Sequence, residues 1–185
     1  TLAFSHAARA GFVATTLLKS FVLVDAMTDE RRLDFLKSFS TVTGEFKNDK
    51  SSHAKGILSE KILIEKYGHL RPGTYEVATK AYWEDPHCYL ISEPSLSTET
   101  NSQFKFASSE ITHIEQTLNE LGSALTHNEF EQYLMEAIQS RESVKFEFTK
   151  NLSLALDLFV ESCHSMELLR EDLSFLEYID LEQLK

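Results

Sequence analysis

The sequence has little glycine and proline, with six and three among 185 residues. An average protein holds roughly 12% of the two together. β-Sandwiches and barrels need many turns built from these residues, so the shortage argues against an all-β fold. The two cysteines, Cys88 and Cys163, form no CxxC pair and no Cys/His framework. They predict a reduced protein whose fold depends on its apolar core rather than on disulfides or a structural metal.

Basic residues are also scarce, at 18 against 29 acidic ones, which gives a net charge of −11. Nucleic acid and anionic membranes attract basic surfaces, so neither is expected as the main partner. The most apolar stretch, residues 10–24, carries Lys19 and is too short to span a bilayer. Without a secretory signal, the sequence predicts a cytoplasmic protein. Because it opens on Thr1 inside an apolar periodic run, it also predicts a fragment of a longer chain.

Apolar residues recur at helical spacing along most of the chain, which predicts an all-α fold. We expect an irregular multi-helix bundle forming one domain over residues 1–185. Its centre would be one apolar helix near the N-terminus, and one very long helix would run from Asn128 to Cys163. Residues 1–68 would form three helices and residues 107–185 the others. Residues 69–106, which hold all three prolines, would form a long irregular loop region.

Capping residues predict where the early helices begin and end. Thr28 is a candidate N-cap for a second helix whose apolar stripe continues through Phe46. Ser51 or Ser52 is a candidate cap for a third helix, with Gly68 at its end.

Three Glu-x-x-His pairs match the spacing that di-iron helical bundles use. Glu84/His87 falls in the predicted loop, and Glu110/His113 and Glu161/His164 fall on predicted helices. Ligands of a buried metal centre must point into the bundle. At about 100° per residue, both pairs fall opposite the apolar stripes of their predicted helices. We therefore expect both pairs to face solvent and to bind no metal.

Arg141 and Lys145 lie on or beside the apolar stripe of the long helix, whereas Asp157 falls on its predicted solvated face. Burying a pair of basic side chains costs desolvation free energy unless a carboxylate or a bound anion pairs with them. Three interpretations remain open. The pair makes an internal ion pair, with Glu142 or a glutamate of the 69–84 loop; Lys145 extends to solvent along its stem; or both side chains face a bound anion or substrate.

The segment 67–86 concentrates donors, aromatic rings and the turn dipeptide Pro72-Gly73. His69, Arg71, Glu76 and Trp83 are its candidate site residues. Such chemistry on a loop suits ligand contact or domain docking. A loop whose aromatic rings simply fill the core has the same composition. Composition alone therefore does not distinguish a ligand-contacting loop from a core-filling one.

The strings YGHLRPGTYEV and YWEDP in this segment resemble the connecting region of the phosphoenolpyruvate-utilising phosphotransferases. That family includes phosphoenolpyruvate synthase, pyruvate, phosphate dikinase and the rifampin phosphotransferases. FSHAARAGFVATTLLKS, RESVKFEFTKNLSLALDLF and LREDLSFLEY are similar to its synthase-like members. LRPGT replaces the tighter turn of the rifampin enzymes, which leaves the acceptor substrate unidentified.

The resemblance implies a helical substrate-side or linking region between an ATP-grasp domain and a phosphohistidine domain of a longer enzyme. ATP and Mg²⁺ would bind to the other domains, and this region would hold no cofactor of its own. It would carry no catalytic residue and would contact a small-molecule acceptor. The substrate-binding residues would be His69, Arg71, Glu76, Trp83, Arg141 and Lys145.

The residues themselves agree with a non-catalytic fragment. The six scattered glycines build no phosphate-binding loop, and no Gly-Gly dipeptide precedes a histidine. The alternative from another class is a helical scaffold that spaces catalytic modules or mediates self-association. A substrate domain should have a concave pocket with a few convergent polar groups, whereas a scaffold should have a flat apolar patch.

Overall fold

A computed structural model describes residues 2–91, 104–177 and 179–180. Over these residues the chain is helical and contains no strand, so the predicted all-α class is confirmed. The elements are α1 (Leu2–Leu23), α2 (Asp29–Lys37), α3 (Val42–Ala54), α4 (Glu60–Tyr67), 3₁₀-helix Tyr82–Glu84, π-helix His87–Ile91, α5 (Ser108–Glu120), α6 (His127–His164) and 3₁₀-helix Asp172–Phe175.

Thr28 caps α2 as predicted, because its hydroxyl accepts a hydrogen bond from the Arg31 N–H at 3.2 Å. The helix does not continue through Phe46, so that part of the prediction is wrong. It ends at Lys37, and a second cap starts α3, where Thr41 Oγ1 accepts from the Gly44 N–H at 3.2 Å.

The helix predicted from Ser51 or Ser52 to Gly68 is also wrong at its start, because two helices occupy that stretch. Helical structure stops after α3 at Gly56, which has φ +72°, and a new helix, α4, begins after its N-cap Ser59. The predicted end is confirmed, since the Gly68 N–H donates to the Ile64 carbonyl at 2.8 Å. The long helix also lies within a residue of its predicted bounds. Pro94 and the STETNS run (97–102), both in the predicted loop, lie outside the described residues.

The chain divides into two compact units: unit 1 joins Thr1–Glu45 with Ser97–Phe146, and unit 2 joins Phe46–Leu96 with Glu147–Lys185. The single-domain organisation therefore stays a prediction.

Unit 1 is built around the buried face of α1, which includes Ala14, Leu18 and Phe21. Aromatic rings extend this core, since the Phe35 ring lies 5.3–5.6 Å from the rings of three other phenylalanines. Those three are Phe39, Phe104 and Phe106.

The opposite face of α1 is exposed, with Leu2, Phe12, Val13 and Leu23 open to solvent. The predicted central helix therefore buries one stripe of its apolar surface and leaves another uncovered.

Unit 2 has an aromatic cluster and a smaller apolar core. Tyr67 is fully buried with its ring 4.8 Å from that of Phe46, and the Tyr82 and Tyr89 rings stack at 4.8 Å. Cys163 is buried in the apolar core, and its burial raises the pKa of the thiol. This cysteine is therefore a packing residue with little thiolate character.

Among the helices of the described residues, none combines the length and the apolar character needed to cross a bilayer.

Candidate functional site

The motif segment, residues 67–84, leaves α4, makes a turn at Pro72-Gly73 and folds back beside the end of that helix. Two backbone hydrogen bonds hold the return, from the Tyr82 N–H to the Leu70 carbonyl at 2.8 Å and from the Trp83 N–H to the Gly68 carbonyl at 2.9 Å. Glycine is needed here for space, because a Cβ on Gly68 would lie 3.0 Å from that of Trp83. The residues that resemble the family's connecting region therefore form a turn held by backbone hydrogen bonds.

Arg71 fixes this segment to α6 within unit 2. Its side chain is 1% exposed and forms an ion pair with Asp157. The guanidinium also donates to Ser153 Oγ at 3.0 Å, to the Ser153 carbonyl at 3.3 Å and to the Thr79 carbonyl at 2.5 Å. The charge of Arg71 is thus paired with a carboxylate inside the protein. Its contact with substrate stays a prediction.

Asp157 joins two of the predicted site residues. Its second carboxylate oxygen accepts from Trp83 Nε1 at 2.9 Å while the first is paired with Arg71. The expectation that Asp157 belongs to the solvated face of the long helix is wrong, since its side chain is 23% exposed. The apolar stripe could not reveal this, because the covering element is a polar loop rather than another helix.

A second ion pair closes the segment at its C-terminal end. Arg170 donates to both oxygens of Glu84, at 3.0 and 2.7 Å, and also to the Thr79 carbonyl. Burial acts to raise the pKa of Glu84, but the hydrogen bonds from Arg170 and the Ala81 N–H outweigh it, so this pKa lies below its ordinary range. The segment is therefore held to the C-terminal part of unit 2 by two arginine–carboxylate pairs.

This lowered pKa predicts a specific acid sensitivity. The folded state binds the Glu84 proton less tightly than the unfolded state, so the stabilisation is present above the unfolded pKa and is lost as pH falls through the folded one. We expect the difference in unfolding free energy between the wild-type chain and Glu84→Gln to shrink from about pH 4.5 downward. Urea unfolding at several pH values measures it. A constant difference down to acid pH would contradict the prediction.

The outer part of the turn faces solvent. Tyr75 is 62% exposed, and Glu76 is exposed with Oε1 accepting only a long hydrogen bond, 3.4 Å, from the Ala78 N–H. His69, in contrast, is 3% exposed. The structure therefore places Glu76 and Trp83 at the surface of the motif segment, and His69 and Arg71 inside it.

Arg141 and Lys145 belong to unit 1, whereas the motif residues belong to unit 2. The Arg141 stem lies against Gly11, where an added Cβ would come within 2.7 Å of it, and its guanidinium lies 4.8 Å from the centre of the Phe12 ring. Among the described residues no carboxylate, Glu142 included, pairs with Arg141. Lys145 is exposed, as the interpretation of an extended stem predicts.

The Glu110/His113 pair does not face solvent as expected. Glu110 is 7% exposed because Arg31 binds both of its oxygens, at 3.1 and 2.7 Å, and His113 stands edge-on to the Phe21 ring. The second pair, Glu161/His164, is exposed as predicted. Within the described part of the chain, no group of three His, Cys, Asp or Glu side chains could hold a metal ion.

Sequence reasoning missed the partners of the motif. Ser153 and Asp157 are four residues apart and so share one face of α6, which is a signal that a search for acceptors of Arg71 could have used. The Glu84–Arg170 pair spans 86 residues and leaves no local pattern.

Comparisons with protein-family models, with curated proteins and with solved structures found no match.

Proposed function

We propose that this chain is the helical substrate-side or linking region of an ATP-dependent, phosphohistidine-using phosphotransferase of the phosphoenolpyruvate-utilising type. In such an enzyme the ATP-grasp domain, with ATP and Mg²⁺, would load a histidine on another domain. The phosphohistidine domain would then carry the phosphoryl group to a small-molecule acceptor near this region.

The proposal is supported by the way in which side-chain contacts hold the motif segment. Arg71, Trp83 and Asp157 hold its inner side in place, while Tyr75 and Glu76 stand exposed at its turn. A loop fixed from within and open outward is suited to positioning a substrate or an incoming domain, because little ordering entropy is lost on contact.

We assign the six candidate residues different roles according to their burial and partners. His69 and Arg71 are buried, so we assign them to positioning the segment rather than to touching the acceptor. Glu76 and Trp83 are available for contact. Arg141 has no carboxylate partner among the described residues, and exposed Lys145 follows one turn later; we assign both to attracting the negative charge of an acceptor or phosphoryl group.

A second candidate function is a scaffold that mediates self-association. The exposed apolar side chains of unit 2 favour it, since Leu158 is 55%, Leu169 61% and Phe175 84% exposed. Sedimentation equilibrium of the 185-residue chain distinguishes the two. A scaffold of this kind forms stable oligomers at micromolar concentration, whereas a substrate-side region needs no self-association.

The phosphotransferase proposal is tested in the longer enzyme by measuring its two half-reactions. We expect Glu76→Ala and Arg141→Met to lower phosphoryl transfer to the acceptor by about tenfold, since a positioning contact and a nearby positive charge each contribute at this order. Loading of the histidine from ATP should be unchanged, because it takes place on other domains.

The matched control is Lys61→Ala, which removes an exposed cation from α4 outside the motif segment. It should leave both half-reactions at the wild-type rate. Equal losses in the two half-reactions, in variants that melt like the wild type, would contradict the proposed role.

A further inference from the structure

A concave apolar pocket lies in unit 1, between α1, α5 and the first turn of α6. Its volume is about 340 Å³, which falls within the range of small-molecule sites. Its floor is core structure, with Phe21, Ile114, Leu118 and Phe130 each less than 9% exposed. Buried side chains of three helices thus form the floor of the pocket, and exposed side chains such as Val24 and Leu121 form its rim.

Most polar groups of the pocket come from one face of α5, and Ser20 of α1 adds a hydroxyl at the rim. His113 half-buries its ring edge-on to Phe21 and makes no hydrogen bond to a described residue, so its ring nitrogens remain available. The amide of Gln116 donates to a Glu120 carboxylate oxygen at 2.9 Å, which holds that carboxylate at the rim. Glu120 is the one acidic residue of the lining, and no lysine or arginine joins it.

We propose that this pocket binds a small aromatic molecule that is neutral or cationic. Apolar walls favour a flat ring system, His113 offers one hydrogen bond to it, and the Glu120 carboxylate repels an anion. The site is separate from the phosphotransferase proposal, because its lining includes none of the six candidate residues.

Two probes with one ring system test the pocket on the 185-residue chain. N-phenyl-1-naphthylamine is neutral, and 8-anilino-1-naphthalenesulfonate adds a negative charge to the same skeleton. We expect the neutral probe to bind one per chain with a Kd on the order of 100 µM or tighter. The sulfonate should bind several-fold more weakly, and Glu120→Gln should remove that difference.

Filling the pocket locates the binding. Thr117 lines it, whereas Thr112 is exposed on the same helix outside it, so Thr117→Trp should weaken the neutral probe by about tenfold and Thr112→Trp should not. Should Thr117→Trp lose helical signal, Ser20→Trp at the exposed rim takes its place. Absence of stoichiometric binding, equal effects of the pocket and control variants, or tighter binding of the sulfonate would overturn the proposal.

Discussion

Replacing Arg71 with alanine is expected to lower the unfolding free energy of the chain by about 3 kcal/mol, near the lower end of the range for breaking a buried ion pair. The change removes hydrogen bonds to Ser153, Thr79 and Asp157 together. It leaves Asp157 with Trp83 as its hydrogen-bonding partner. The cost stays at the lower end because Asp157 keeps 23% of its side-chain surface in solvent.

Urea unfolding followed by circular dichroism measures this loss. Lys61→Ala is the control, because its ion pair with Glu65 is exposed on both sides and should contribute less than about 1 kcal/mol. A loss as small as that of the control would mean that Arg71 is not a structural anchor.

Phe35→Ala is expected to cost about 3–5 kcal/mol, the usual range for removing a buried ring. Phe35 is 1% exposed, and three other phenylalanine rings surround it. Because one of those rings comes from the chain after α2 and two come from the segment before α5, they cannot all close on the cavity without moving backbone.

The control for this substitution is Phe175→Ala, which truncates the same ring where it is 84% exposed. Its expected effect is within about 0.5 kcal/mol of zero. Thermal and urea unfolding of the two variants give the comparison, and a similar cost for both would contradict the assignment of the unit 1 core.

The helices were largely predictable because their apolar residues follow a helical period. The boundary between α2 and α3 was not, since Phe39 stays in the core although the helix ends before it. The period therefore continued across a break that only the capping hydroxyl of Thr41 marks. The next break, between α3 and α4, is marked instead by Gly56, which has a positive φ.

The sequence predicted which segment holds the candidate site, but not the burial or the partners of its side chains. Sequence composition and the resemblance both selected residues 67–86. They could not show that Arg71 is buried, because its carboxylate partner lies 86 residues away on a helix whose pattern assigns Asp157 to solvent. Long-range ion pairs leave no periodic signal, so the division between anchoring and exposed residues required the structure.

Asp157 fixes the motif segment, and the fluorescence of Trp83 reports on this contact without interference, because Trp83 is the chain's one tryptophan. Asp157→Ala removes the acceptor of the indole N–H, and Glu161→Ala, one turn further along α6 and exposed, is the control. With helical content preserved, we predict that Asp157→Ala shifts the emission to longer wavelength and increases quenching by acrylamide, while Glu161→Ala changes neither. Emission and quenching of Asp157→Ala identical to those of the wild type would mean that Asp157 does not hold the segment in place.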